Sequence, residues 1–226
     1  MCRFIAVMSS NPFDPEPYLT ELEKQARYGK NSPHGDGWGI WLKDDKREIL
    51  HKEIVPIWES DFKFPYAKIM IAHARKKGRE GARKSLLNTH PFIKNNSVFI
   101  HNGMVKLERH LYSVGETDSE SYFLYLLDMG LLRGLQFISE NYFFTSLNSV
   151  LYKDRKMYVI RLTRKMEDYY TIFIKKEDDR IIITTEGDGK MIPNNIVAVI
   201  NKNLKISYRR IFQDRSHPED KHQNPL

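Results

Sequence analysis

The second residue of the chain is its only cysteine. A cysteine taken anywhere in a chain is commonly a small buried hydrophobe. Position 2 offers other chemistry. An initiator methionine is normally removed before a small second residue, which would leave Cys2 with a free α-amine. Such an amine titrates at about 7.7–8.0 and can take a proton near neutrality. The terminus then acts as general base for its own side chain, an N-terminal version of the nucleophile-plus-base pair. Cys2 is the candidate nucleophile.

Other residues offer complementary groups. Asn102 carries a side-chain NH2 and Gly103 a backbone N–H, donors suited to a developing oxyanion in a water-poor site. Glycine also lets the backbone come close to a ligand. The same dipeptide is the strongest short signal for a type I′ hairpin turn, so two readings stand side by side. His73, His90 and His101 invite a metal, but their spacing matches no standard zinc pattern and one cysteine is available. They read as hydrogen-bonding wall residues, with no metal and no other cofactor expected. Basic residues cluster at Arg75-Lys76-Lys77-Gly78-Arg79 and Arg83-Lys84 in a chain of net charge +7. No stacking-aromatic or recognition-helix pattern accompanies them. The cluster reads as a solvated loop beside a site for an anionic small molecule, not as a nucleic-acid surface.

These residues fall in stretches that resemble the class II glutamine amidotransferases. In order they are Cys2-Arg3, His34-Gly35-Asp36-Gly37-Trp38-Gly39, His73-Ala74-Arg75, Asn88-Thr89-His90-Pro91-Phe92, Phe99-Ile100-His101-Asn102-Gly103 and Thr117-Asp118-Ser119-Glu120. Thr184-Thr185-Glu186 and Ile192-Pro193 extend the likeness to about Asn195. One such motif is weak; several in sequence order are specific. The resemblance implies an α+β fold, the four-layer αββα sandwich of N-terminal-nucleophile hydrolases, with two mainly antiparallel sheets. It implies attack by Cys2 on the side-chain amide of glutamine or a γ-glutamyl compound, through a γ-glutamyl thioester. Asn102 and Gly103 would then be the oxyanion hole. Arg75 would grip the α-carboxylate with a bidentate fork, Asp118 would hold the α-ammonium, and His90 and His101 would line the substrate. Asp118 also has a local reason to be there, since an acid in a helix's first turn contributes about 0.3–1 kcal/mol. No acceptor domain is recognisable, so the likeness is to the stand-alone branch. A true amidotransferase of this kind needs a separate synthetase subunit to receive the ammonia; the alternative is a catalytically inactive binding or regulatory subunit on the same scaffold. One stretch departs from the pattern. Many members carry a threonine and a glycine soon after the arginine, where this chain has Lys76-Lys77-Gly78-Arg79-Glu80-Gly81. A loop this basic suits a substrate with an extra carboxylate.

The elements that must position these residues are legible in outline. Arg3 to Val7 reads as a buried strand. Asp14-Pro15 opens a helix that covers Tyr18 to Tyr28. The glycine-rich turn at 34–39 leads into a strand, and Trp38 is expected to pack beneath the site. Lys68 to Arg75 and Val98 to His101 read as further buried strands. Thr117-Asp118-Ser119-Glu120 fits a capping box for a helix through Tyr122, Leu126 and Leu127, and a second helix covers Leu131 to Tyr142. Then strands dominate: a hairpin over 149–160 with its turn at Lys153-Asp154-Arg155-Lys156, followed by 170–174, 181–185, 196–200 and 205–208. Segregated strands and helices argue for α+β.

With 226 residues, 41% of them hydrophobic, the chain suits one domain over 1–213, with a polar tail over 214–226. Its apolar runs fall far short of the roughly 20 residues of a membrane span, and a single cysteine suits a reducing cytoplasm.

Overall fold

In the computed structural model, which describes residues 2–78 and 81–212, strand β1 (Arg3–Phe13) is apolar on both faces. Phe4, Ala6 and Met8 enter one core cluster, and Ile5, Val7 and Phe13 enter another. A strand of this kind must be covered on both sides, and it is. On one side lies α1 (Glu16–Tyr28), which buries Leu19, Leu22 and Ala26. Burying each of those leucines contributes about 1.5–3 kcal/mol. On the other side lies a second sheet.

The chain continues through β2 (Trp38–Lys43), β3 (Glu48–Glu53), β4 (Ala67–Ala74), β5 (Phe92–Lys94), β6 (Ser97–Asn102), α2 (Asp118–Met129) and α3 (Leu131–Asn141). It closes with β7 (Asn148–Lys153), β8 (Lys156–Arg161), β9 (Phe173–Lys176), β10 (Arg180–Thr184), β11 (Lys190–Met191), β12 (Ile196–Ile200) and β13 (Ile206–Arg210). The first sheet has the order β11-β9-β10-β1-β4-β2-β3 and the second β13-β12-β8-β7-β6-β5. The pairs within each sheet are antiparallel. Between the sheets lies a cluster that includes Phe4, Ile71, Ile100, Val150, Val159 and Ile183. Outside the second sheet, α2 and α3 cover Phe99, Leu151 and Ile160 with Tyr122, Phe123, Leu126, Leu135 and Ile138. The layers run helix, sheet, sheet, helix. This is the expected α+β sandwich.

The local signals act much as read. Asp14 Oδ1 accepts from Glu16 N at 3.0 Å, at the start of α1. Asp154 and Arg155 have φ of 51° and 56°, the left-handed pair that a type I′ turn requires between β7 and β8. The capping box forms by half. Thr117 Oγ1 accepts from Glu120 N at 3.2 Å, but the Glu120 carboxylate reaches past the cap to Val114 N and Gly115 N. The strand read at 170–174 begins later, at Phe173, because the Tyr170 carbonyl accepts from Asn148 Nδ2 and Arg161 Nε and not from a ladder partner. Trp38 is not beneath the site. It packs in the outer cluster with α1 and donates from Nε1 to Ser60 Oγ at 2.7 Å. The polar tail lies outside the described residues.

Candidate active site

Period-2 alternation puts Cys2 on the same face of the first sheet as Phe4, looking between the sheets. Asn102, in step with Ile100 and Val98, looks in from β6 of the opposite sheet. The two meet. Cys2 N donates to Asn102 Oδ1 at 2.8 Å, across 100 residues of sequence. That bond commits the amide oxygen and so orients the side chain. Asn102 Nδ2 is left buried with no hydrogen-bond partner among the described residues. A buried donor without a partner is costly and rare, and this one lies beside the only thiol.

Neither Asn102 nor Gly103 has a positive φ, so the pair is not a type I′ turn. Gly103 is demanded by close approach of a different kind. A Cβ built on it falls 1.9 Å from the Ser146 carbonyl oxygen and 2.7 Å from His101 Nε2. A Gly103→Ala chain should therefore lose about 2–3 kcal/mol to overpacking, a fall in Tm of roughly 4–12 °C for a chain of this size. Calorimetry reads this directly, and an unchanged Tm would show that the turn yields freely. Gly39 plays a similar part, its Cβ position lying 2.3 Å from the His90 carbonyl oxygen.

The histidines divide. His73 Nε2 lies 3.1 Å from the His101 carbonyl, a second bridge between the sheets. His101 faces α2, with Nε2 bonded to Ser146 O and Nδ1 to Ser119 Oγ, both at 2.9 Å. Both its nitrogens are engaged, so it braces the strand that carries Asn102. His90 packs against His73 with ring centroids 4.1 Å apart, and neither of its nitrogens has a hydrogen-bond partner among the described residues. Burial holds His90 well below the usual histidine range, so it is neutral. Burial also pushes the Cys2 thiol up, but the charge of His73 and the positive chain terminus outweigh it and bring the thiol down to about 6.

Arg75 is buried at the end of β4, and its guanidinium donates to the carbonyls of Ala82 at 2.6 Å and Arg83 at 3.3 Å. The basic loop is pinned by the glycine-rich stretch, since Asp36 accepts from Lys77 N at 3.0 Å and pairs with Lys84 at 3.1 Å. Asp118 Oδ2 accepts from Val105 N at 2.9 Å and Oδ1 from Ser119 N at 2.8 Å. Through Val105 it is tied to the segment just after Gly103.

A family model described as glutamine amidotransferases class-II matches residues 1–133. The chain belongs to this family. An uncharacterized protein of Methanocaldococcus jannaschii is 27% identical over 157 residues, 63% of this chain and 42% of that protein. The chain thus spans less than half the length of that curated relative. A glutamine aminotransferase class-II domain protein from Silicibacter pomeroyi superposes with a TM-score of 0.64 at 17% identity, over 92% of this chain and 99% of that one. Glutamine phosphoribosylpyrophosphate amidotransferase from B. subtilis superposes at 0.68 and 16%, over 94% of this chain and 50% of the other. At these identities the structural likeness is one of fold.

This class II glutamine amidotransferase holds its N-terminus by a device that the sequence reading left unassigned. Arg3 points to the α1 side and is fully buried. It donates to Cys2 O and to Tyr169 Oη, each at 3.2 Å, and to Lys30 O, and it pairs with Glu186 at 2.6 Å. Its guanidinium also lies over the Tyr169 ring, 4.9 Å from the centroid. A carboxylate and two carbonyls compensate this buried cation, with Nε left unpartnered among the described residues, and here it clamps the backbone of the candidate nucleophile. Beside it, burial and the Arg3 charge lower His34 to about 3. The signal for this clamp was the Cys2-Arg3 pair together with Glu186 in the Thr184-Thr185-Glu186 stretch.

Proposed function

We propose that the chain hydrolyses the side-chain amide of glutamine or of a γ-glutamyl compound, with Cys2 as nucleophile once Met1 is removed. The observation that carries this reading is Cys2 N bonded to Asn102 Oδ1 at 2.8 Å, with Asn102 Nδ2 buried and unpartnered. Cys2 sulfur attacks the amide carbon, and its α-amine shuttles the proton. Asn102 Nδ2 and Gly103 N–H hold the oxyanion, which is worth most in a buried site. The C–N bond breaks, ammonia or an amine leaves, and water releases glutamate from the thioester. Arg75 takes the α-carboxylate by turning its fork from the Ala82 and Arg83 carbonyls, and Asp118 takes the α-ammonium. His90, neutral and with both nitrogens available, lines the pocket; His101 supports it from behind.

Where ammonia is passed on, a separate synthetase subunit receives it. No helix among the described residues is long and apolar enough to cross a membrane, and the single cysteine suits the cytoplasm, where we place the protein.

The basic loop after Arg75 favours a γ-glutamyl peptide over free glutamine, because the peptide brings a further carboxylate to the exposed Lys77. An exposed ion pair contributes about 0.2–1 kcal/mol, so the expected preference in kcat/KM is about 1.4- to fivefold and shrinks with added salt. Coupled assays for glutamate release on both substrates test this. Equal rates or a glutamine preference would sink the peptide reading; no release from either, in protein shown to lack Met1, would sink the hydrolase reading.

A further inference from the structure

Deepening the reading of Cys2 as nucleophile, on which it rests, we infer that His73 is a second proton acceptor for the thiol, its Nδ1 taking the proton so that Cys2 stands as a thiolate facing an imidazolium. The S–H bond breaks, an N–H bond forms on Nδ1, and the electron pair stays on sulfur.

The tautomer is decided by the His101 carbonyl. A carbonyl only accepts, so His73 Nε2, 3.1 Å away, carries the hydrogen. In the neutral ring the lone pair is therefore on Nδ1. That atom is buried and makes no hydrogen bond of ordinary geometry among the described residues. Register places the ring on the same face as Cys2. Phe4 pairs with His73 across β1 and β4, and Cys2 lies two residues before Phe4 on the same face. Cys2 and His73 are diagonal neighbours, a spacing that long and aromatic side chains span.

Apart from the α-amine, no other group near the thiol among the described residues can do this. Asn102 Oδ1 is engaged by Cys2 N, and the Lys76 carbonyl, 3.8 Å from Sγ, is no base. His101 has both ring nitrogens occupied. Burial keeps His90 from taking a proton, and it raises both Tyr169 and Tyr170. Arg3, Arg75 and Lys76 are cations. His73 also supplies the largest of the interactions that lower the Cys2 thiol. Because this pair needs no α-amine, the thiol is activated whether or not Met1 has been removed; the free amine then relays the proton held on Nδ1 to the leaving nitrogen.

Cys2 is the only cysteine, so iodoacetamide reports on it alone and needs no substrate. The alkylation rate should be half-maximal near pH 6. In His73→Gln, which keeps a donor toward the His101 carbonyl but has no base, the midpoint should move toward the ordinary thiol value of about 8.5 and the rate near neutrality should fall about tenfold or more. An unmoved midpoint in a folded variant overturns the inference. Should that variant not fold, the unmutated protein decides. Where the ultraviolet absorbance of the thiolate first appears, the 15N shift of His73 Nδ1 should be that of a protonated ring nitrogen, and the shift of an unprotonated nitrogen there overturns it equally. Alkylation and shift as expected, with no hydrolysis of any amide, would leave the pair standing and remove only the hydrolase reading.

Discussion

A Cys2→Ala chain is expected to release no measurable glutamate from glutamine or a γ-glutamyl peptide while still binding both. The sulfur is the only thiol in the protein, and the remaining groups at the site are donors, cations, imidazole rings and the Asp118 carboxylate, which accepts from Val105 N and Ser119 N. None can form the acyl intermediate. Loss of the nucleophile from such a unit lowers kcat by about 10⁴-fold or more. Binding survives because Arg75 and Asp118 are placed independently of the sulfur, which takes no part in their bonds to the Ala82 and Arg83 carbonyls and to Val105 N. Calorimetric titration with substrate separates the two effects. Residual hydrolysis within tenfold of the parent would exclude Cys2 as nucleophile. The parent must first be weighed by mass spectrometry, since an intact Met1 removes the α-amine on which the proton shuttle depends.

Asn102→Asp is expected to cost kcat about 10²–10³-fold, the scale of losing one oxyanion donor, with a smaller change in KM. Aspartate keeps the shape and the acceptor for Cys2 N, whose bond to Asn102 Oδ1 is 2.8 Å, so the bridge between the sheets persists. What changes is the other end of the side chain. The Nδ2 donor, buried and without a partner among the described residues, becomes an oxygen. A carboxylate there repels the charge that develops on the amide oxygen, and low local polarity strengthens that repulsion. Steady-state kinetics beside a thermal melt checks both halves. A kcat within threefold of the parent, at unchanged Tm, would place the oxyanion elsewhere.

Much of the scaffold was legible because its causes are local. Near-continuous apolar runs in Arg3 to Val7 and Val98 to His101 mark strands covered on both faces, and Thr117 and Asp14 mark helix starts through side-chain oxygens within three residues. The misreadings share one physical source. Glu120 had a local partner in a capping box and took two backbone donors from the preceding loop. Tyr170 continued an apolar run and left the ladder because Asn148 and Arg161, from the second sheet, claimed its carbonyl. Trp38 followed glycines of the site stretch and faced away from the site, since strand alternation turned it toward α1.

The sequence by itself determined the chemical parts: one thiol next to the chain start, a rigid amide donor followed by glycine, an arginine at a strand end and an acid at a helix start. Residue types and short spacings carry that information. Only the tertiary structure decided how the parts work together. Cys2 and Asn102 meet because the two sheets stack face to face, and nothing within either strand announces the partner 100 residues away. The carbonyl of His101 selects the tautomer of His73, and the Ser146 carbonyl makes Gly103 obligatory. Arg3 becomes a clamp only where α1, Tyr169 and Glu186 converge on it. Hydrogen-bond direction, burial and charge separation depend on distance in space, and the period of a strand or helix encodes only distance along the chain.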